Sequence, residues 1–228
     1  MSLQLKLDAV KHDFESKVPA QALAVMEKST QDLVASKQAQ RALRSGDNAP
    51  AFTLADSDGN TVISEDLLLK GPLVITFYRG VWCPYCNLEL QALEALRSEI
   101  ESRGATLVAI SQQTAGNSRA SRRDNGVSFP ILIDQGGVLA DAFGIRWALQ
   151  GEIKALYEQF GVNLQTFNGE SSWTLPMPAR YVIDTQGVIA YSEVNPDYTQ
   201  RPEPVELLPV LDALAANMVV GKTSAGAL

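Results

Sequence analysis

The sequence predicts an α/β fold, a central mixed β-sheet flanked by helices, with an N-terminal helical extension. Three observations lead to this prediction. Two apolar runs, "PLVITFY" and "TLVAIS", have the length of buried strands, and a helical pattern of leucines separates them. The second half of the chain has the pattern of a β-hairpin followed by a helix. The first 45 residues show helical patterns and contain no glycine.

The extension, residues 1–45, places apolar residues at helical spacing. Leu3, Leu7, Val10 and Phe14 mark one helix, and "PAQALAVMEKSTQDLV" marks a second. An amphipathic helix of this length needs an apolar partner, because alone it is marginal in water. We therefore expect an arm that packs on the main domain or on a second subunit and supplies no catalytic group.

The main domain is expected over residues 46–220. "AFTLADSDGNTVIS" has two short alternating segments around a turn signal, which predicts a hairpin, and "SEDLLLKG" predicts a short helix. The two apolar runs follow, and the helix between them is a crossover long enough for parallel pairing. "FPILID" and "VLADAFGI" then predict a further strand and a short helix.

The last part of the chain begins with residues 146–176, an aromatic-rich stretch without a clear period. Its length predicts an insertion with some helix of its own. "RYVID" and "VIAYSEV" predict a hairpin, "PVELLPVLDALAANM" a last helix, and residues 221–228 a loose tail. Helices on both faces of a mixed sheet in this order are typical of the thioredoxin-like fold.

Composition limits the classes of function. The net charge of −7 argues against nucleic acid or an anionic membrane as a partner. The N-terminus has no signal-peptide pattern, and no apolar run approaches the roughly 20 residues of a membrane span. We expect a cytoplasmic protein, where the reducing environment disfavours structural disulfides. The two cysteines therefore point to chemistry rather than to a scaffold.

Both cysteines lie in "FYRGVWCPYCNLEL", between a predicted strand and a predicted helix. A helix N-terminus stabilises a thiolate, and Arg79 can add a positive charge, so Cys83 is the expected nucleophile. Pro84 suits the first helical position. Cys86 lies one turn further on the same face, within reach for a reversible disulfide, and is the expected resolving residue. We expect Cys83 to be the more exposed of the two.

Two other interpretations stay open at this point. The cysteine pair is also half of a zinc site, but closing it requires two more ligands, and the chain has no other cysteine and one histidine, His12. The pair can also be two inert buried thiols, which the position between strand and helix argues against. His12 lies on a predicted amphipathic helix, so a cysteine–histidine protease arrangement has little support.

With these residues in view, the chain resembles the peroxiredoxin-like branch of the AhpC/TSA (alkyl hydroperoxide reductase/thiol-specific antioxidant) family, from about Gly46 to Ala215. "GDNAPAFTLADSDGNTVISEDL", "FYRGVWCPYCNLEL" and "PARYVIDTQGVIAY" carry the resemblance. It implies a thiol peroxidase in which Cys83 is oxidised to a sulfenic acid by a hydroperoxide and Cys86 closes a disulfide. A thioredoxin- or glutaredoxin-like protein would reduce that disulfide, with no metal, haem or flavin cofactor. A homodimer is an assembly that the N-terminal helices would allow.

The sequence departs from the family's pattern at several positions. Typical members carry proline and threonine seven and three residues before the nucleophile, where this chain has Thr76 and Gly80. The loop before Cys83 is shorter, and "CPYC" is the active-site tetrad of glutaredoxins. These departures favour disulfide exchange. The alternative functions are therefore a thiol-disulfide oxidoreductase with little peroxidase activity, and a non-catalytic redox-sensing or interaction module.

Four more residues complete the predicted site. Pro178 stands where thioredoxin-like folds carry a cis-proline facing the cysteines, three residues before Tyr181. Arg180, two residues later on the same strand face, is expected either to activate the thiolate or to be a plain surface arginine. Trp82 and Tyr85 flank the nucleophile. We expect Trp82, Tyr85 and Pro178 to contact the substrate.

Overall fold

A seven-stranded mixed sheet organises the computed structural model, which describes residues 2–225. Its strand order is β2-β1-β5-β4-β3-β8-β9, and β6 and β7 form a separate two-stranded sheet. The strands are β1 Thr53–Asp56, β2 Thr61–Ile63, β3 Leu73–Phe77, β4 Thr106–Ser111, β5 Ile131–Ile133, β6 Arg146–Ala148, β7 Thr174–Pro176, β8 Ala179–Ile183 and β9 Ile189–Val194. The helices are α1 Leu3–Lys17, α2 Ala20–Ala35, α3 Gln38–Arg41, α4 Ser64–Leu68, α5 Pro84–Ser102, α6 Ala115–Asn125, α7 Val138–Ala142, α8 Glu152–Gln159, α9 Leu164–Asn168 and α10 Leu207–Ala225. The predicted class, helices around a central mixed sheet, is confirmed.

The β3–α5–β4 unit is the centre of the fold and carries the cysteines. β3 pairs in parallel with β4 and antiparallel with β8. Val74 of β3 packs with α5, whereas its neighbours Leu73 and Ile75 pack in a second core on the opposite face of the sheet. Burial on both faces explains why the strand reads as a continuous apolar run.

The N-terminal helices pack on the main domain, which is one of the two arrangements that the sequence leaves open. Leu3 and Leu7 of α1 are 3% and 0% exposed, in the same core as Leu90 and Leu93 of α5. A third short helix, α3, which the sequence pattern does not reveal, follows α2.

The 146–176 segment has the helices expected of it, α8 and α9, and also the strand pair β6 and β7, which the sequence pattern does not predict. It has a small core of its own that includes Leu156, Trp173 and Leu175. Met26 of α2 and Trp82 pack against that core. The segment and the arm therefore meet above the turn that carries the cysteines.

The C-terminal region forms the hairpin and the helix that the sequence predicts. β8 and β9 pair antiparallel, and α10 continues to Ala225. The loose tail expected over residues 221–228 stays a prediction: α10 includes residues 221–225, and residues 226–228 lie outside the described residues. Over the described residues, no helix is long and apolar enough to cross a membrane.

Candidate active site

Cys83 caps the N-terminus of α5, with extended backbone angles of φ −97° and ψ 107°, and Pro84 is the first helical residue. Its carbonyl accepts the backbone N–H of Asn87, which starts the helix. Cys86 lies in the first helical turn. Both are free thiols, and both are buried, at 1% and 0% exposure. The difference in exposure expected between them is small, although Cys83 lines a cavity and Cys86 does not, and environment distinguishes the two sulfurs more than exposure does.

The two thiols differ sharply in acidity. Burial alone would raise the pKa of Cys83, but the Cys86 thiol hydrogen bond and the charges of Arg79 and Arg201 outweigh it and lower that pKa to about 6. Burial, the same hydrogen bond and repulsion by the Cys83 thiolate raise the pKa of Cys86. The lowered pKa favours the thiolate form of Cys83 at neutral pH, the form that a nucleophilic cysteine needs.

Arg79 is a buried cation surrounded by aromatic rings. Its Cζ lies 4.1 Å from the ring centre of Tyr198 and 5.0 Å from that of Trp82. Its Nη2 donates to the hydroxyl of Tyr157, and its Nε has no partner among the described residues. Arg79 forms no salt bridge with a carboxylate among residues 2–225. Its positive charge favours the thiolate form of Cys83 and so contributes to the lowered pKa of that thiol.

Of the two roles expected of Arg180, the surface arginine is wrong, and activation of the Cys83 thiolate stays a prediction. Arg180 is 1% exposed, so it is no surface arginine, and its Nη2 donates to Glu89 Oε1 at 2.9 Å. A second cation beside the cysteines, in addition to Arg79, is Arg201. Its Nη2 donates to Cys86 Sγ at 3.6 Å, and its Nε pairs with the other oxygen of Glu89. Sequence reasoning missed Arg201. The sequence feature that points to a buried cation is Glu89, which lies three residues after Cys86 on the core face of α5. A buried carboxylate needs cationic partners.

Pro178 is also placed differently. The residues that the structure describes contain no cis peptide bond, so the expected cis-proline is trans. Pro178 is buried between β7 and β8 and is not among the residues that line the cavity at Cys83. Sequence position relative to the next aromatic residue does not determine the isomer.

Trp82 and Tyr85 lie where the prediction puts them, beside Cys83 in the wall of a cavity of about 520 Å³. Trp82 packs edge-to-face on Tyr157, with ring centres 5.7 Å apart, and Tyr85 packs similarly on Tyr198, at 5.5 Å. The arm supplies part of the same wall, a role that its sequence pattern does not predict.

The turn before Cys83 is held by side chains that sequence reasoning also missed. The backbone N–H of Val81 donates to Gln113 Oε1 at 2.9 Å, and Asn87 Nδ2 donates to the Val81 carbonyl at 2.9 Å. Gly80 has φ +151°, and a Cβ there would lie 2.6 Å from Trp82 Nε1. The indole therefore occupies the space where any other residue 80 would place its side chain.

A family model described as "AhpC/TSA family" matches residues 45–192, more than half of the chain. The chain therefore belongs to the AhpC/TSA family. This AhpC/TSA protein is 34% identical over 104 residues to thiol-disulfide oxidoreductase ResA of Halalkalibacterium halodurans, covering 45% of the chain and 58% of ResA. It is 26% identical over 170 residues to chloroplastic peroxiredoxin Q of Oryza sativa subsp. japonica, covering 74% of the chain and 67% of that protein.

Among solved structures, the AhpC/TSA protein is similar to peroxidoxin BcpB of Mycobacterium tuberculosis. The TM-score is 0.60 at 22% identity, over 76% of this chain and 97% of that one. This likeness shows the fold, and the predicted thioredoxin-like arrangement is confirmed. The AhpC/TSA protein spans less than two thirds of the length of ResA.

Proposed function

We propose that this AhpC/TSA protein is a thiol peroxidase that reduces hydrogen peroxide and organic hydroperoxides through Cys83. The observation that carries the proposal is a thiolate beside the buried Arg79, at the floor of a cavity. A cation without a carboxylate partner among the described residues is free to stabilise negative charge on a reacting oxygen.

In the first step, the Cys83 thiolate attacks one oxygen of the hydroperoxide and the O–O bond breaks. Sulfur is oxidised to a sulfenic acid, and the other oxygen leaves as an alkoxide or hydroxide that takes up a proton. Arg79, whose Nε has no partner among the described residues, faces the charge that develops on these oxygens. The protonated Cys86 thiol holds the thiolate in place beforehand.

In the second step, Cys86 must lose its proton and attack the Cys83 sulfenic acid, which forms the disulfide and releases water. Once Cys83 has become a neutral sulfenic acid, it no longer repels a Cys86 thiolate, whereas Arg201 stays 3.6 Å from that sulfur. Arg201 thus favours ionisation of Cys86 at the moment when it is needed. A thioredoxin- or glutaredoxin-like reductant would then return two electrons and two protons.

The second candidate function is thiol-disulfide exchange with little peroxidase activity. Two observations favour it: the Cys-Pro-Tyr-Cys tetrad, and the identity of 34% with thiol-disulfide oxidoreductase ResA over 45% of the chain.

We also propose the wider setting of this activity. Residues 46–220 would form the thioredoxin-like peroxidase domain, and residues 1–45 its helical arm. The two free thiols suit a reducing compartment, which supports a cytoplasmic location. The arm leaves Leu5 and Val34 exposed, at 59% and 51%, which supports a homodimer.

Stopped-flow oxidation tests the proposal directly. The reduced protein should lose two thiols to hydrogen peroxide far faster than free cysteine does. Cys83→Ser should abolish the reaction, whereas Cys86→Ser should complete one oxidation and leave a dimedone-reactive Cys83. If only disulfide substrates oxidise the wild type quickly, the second candidate is correct.

A further inference from the structure

The cavity at Cys83 is much larger than hydrogen peroxide requires. Its volume is about 520 Å³. A water molecule takes up about 30 Å³ of liquid volume, so the two oxygens of hydrogen peroxide fill only a small part of it. Cavities of several hundred Å³ are the size that proteins use for small organic ligands.

Most of the residues that line the cavity are apolar or aromatic. The charged groups on it are Arg79 at the floor, held by Tyr157, and Asp13 and Lys17 of the arm. Asp13 and Lys17 are exposed and pair with each other at 2.6 Å, so they offer no unpaired charge to a ligand. A neutral, apolar group therefore fits the cavity better than a carboxylate-bearing one.

Much of the apolar wall comes from the N-terminal arm. Val10 and Phe14 of α1 and Met26 of α2 line the cavity together with Cys83. Phe14 also packs edge-to-face on Phe160, at the end of α8, with ring centres 5.9 Å apart. The contact joins the arm to the 146–176 segment, so the wall opposite the cysteine turn exists only when the arm is docked.

We propose that the arm is the selectivity element of the site: Val10, Phe14 and Met26 receive the apolar group of a neutral organic hydroperoxide whose O–O bond reaches Cys83. This inference rests on the proposed peroxidase function. The thiolate takes one oxygen and becomes a sulfenic acid, while the apolar group departs, after taking up one proton, as the corresponding alcohol. The arm residues thus act on the substrate's apolar group and not on the sulfur.

The test compares cumene hydroperoxide with hydrogen peroxide in the full-length chain. Met26→Gln keeps nearly the same shape and adds a polar amide, so the ratio of the two second-order rate constants should fall by about tenfold, equivalent to 1.4 kcal/mol. Val10→Gln is a second variant in case Met26→Gln folds poorly. The matched control is Ala24→Gln, on the same helix as Met26 but exposed and outside the cavity wall. An unchanged ratio in both cavity variants overturns the proposal.

A second measurement does not depend on peroxidase activity. Cumyl alcohol, the product alcohol, should slow alkylation of Cys83 by iodoacetamide in the wild type and in Ala24→Gln, and should bind about tenfold less tightly in Met26→Gln. Protection by cumyl alcohol in a wild type that reduces neither peroxide would mean that the peroxidase proposal fails while the apolar site stands. Absence of protection in the wild type overturns the apolar site itself.

Discussion

At the scale of single residues, the chemistry depends on which anion balances which buried cation. Arg180 and Arg201 share Glu89, whereas Arg79 has aromatic rings and the Cys83 thiolate around it. Burying a charge is costly unless it is paired, so Arg79 and the thiolate stabilise each other. The acidity of Cys83 is thus a property of its neighbours rather than of the helix N-terminus alone.

Arg79→Met should therefore raise the pKa of Cys83 from its value of about 6 by a unit or more. Alkylation rates in the reduced wild type should rise with pH through about 6 and level off above 7, because only the thiolate reacts. In the variant the same rise should lie nearer the ordinary value of about 8.5. Arg97→Met, which changes a surface arginine on α5, is the control. Equal midpoints in Arg79→Met and the wild type would refute the assignment.

Arg201→Met should separate the two steps of the cycle. The variant keeps Arg79 beside Cys83 but removes the donor 3.6 Å from Cys86 Sγ. Sulfenic acid formation should slow less than disulfide formation, which should fall by about tenfold because the buried Cys86 ionises less readily. Quenched-flow mass spectrometry would show the Cys83 sulfenic acid accumulating at neutral pH and disappearing at higher pH. The role of Arg201 would be contradicted if the sulfenic acid did not accumulate at neutral pH, or if higher pH did not restore disulfide formation.

At the scale of structural elements, the β3–α5 turn has little tolerance for change. Gly80 combines φ +151° with an indole nitrogen 2.6 Å from where a Cβ would stand. Trp82 in turn forms part of the cavity wall and packs on Tyr157. The turn, the wall and the thiolate position therefore depend on one small residue.

Gly80→Thr, which introduces the residue typical of related proteins, should consequently impair rather than improve the site. The strained backbone and the displaced indole should lower the free energy of unfolding by about 1–3 kcal/mol and slow Cys83 oxidation. Gly116→Ala is the matched control, since Gly116 lies in α6, where an added Cβ would meet no atom within 4 Å. Alanine there should leave stability equal or slightly higher. A faster, fully stable Gly80→Thr protein would contradict this interpretation.

The same elements show what sequence can and cannot predict. Buried strands and amphipathic helices follow local patterns, so the β3–α5–β4 unit and the position of Cys83 were predictable. Arg201 was not, because its approach to Cys86 depends on how the segment after β9 crosses back over α5. An amphipathic arm predicts burial but not the surface that it covers, so its part in the cavity was not foreseeable either.

At the scale of the whole molecule, oxidation changes the balance of buried charge. In the reduced state, three buried arginines, Arg79, Arg180 and Arg201, face the Glu89 carboxylate and the Cys83 thiolate. The disulfide removes one of these two anions and leaves the three cations. The charge balance therefore raises the free energy of unfolding of the reduced protein but not that of the oxidised protein. The difference between the two values depends on pH, because the thiolate titrates.

The sign of that dependence follows from the Cys83 pKa of about 6 in the folded protein, against about 8.5 in an unfolded chain. A group with a depressed pKa in the folded protein stabilises the fold. This stabilisation is fully present when the pH is above the pKa of the unfolded chain, and it is lost as the pH falls through the pKa of the folded protein. Between pH 6 and pH 8, the reduced protein should therefore gain about 2 kcal/mol in free energy of unfolding relative to the oxidised protein. Urea unfolding of both forms at the two pH values measures this difference. The reduced Cys83→Ser protein, which lacks the thiolate, should show no such gain, whereas a gain of equal size there would assign the effect to another group.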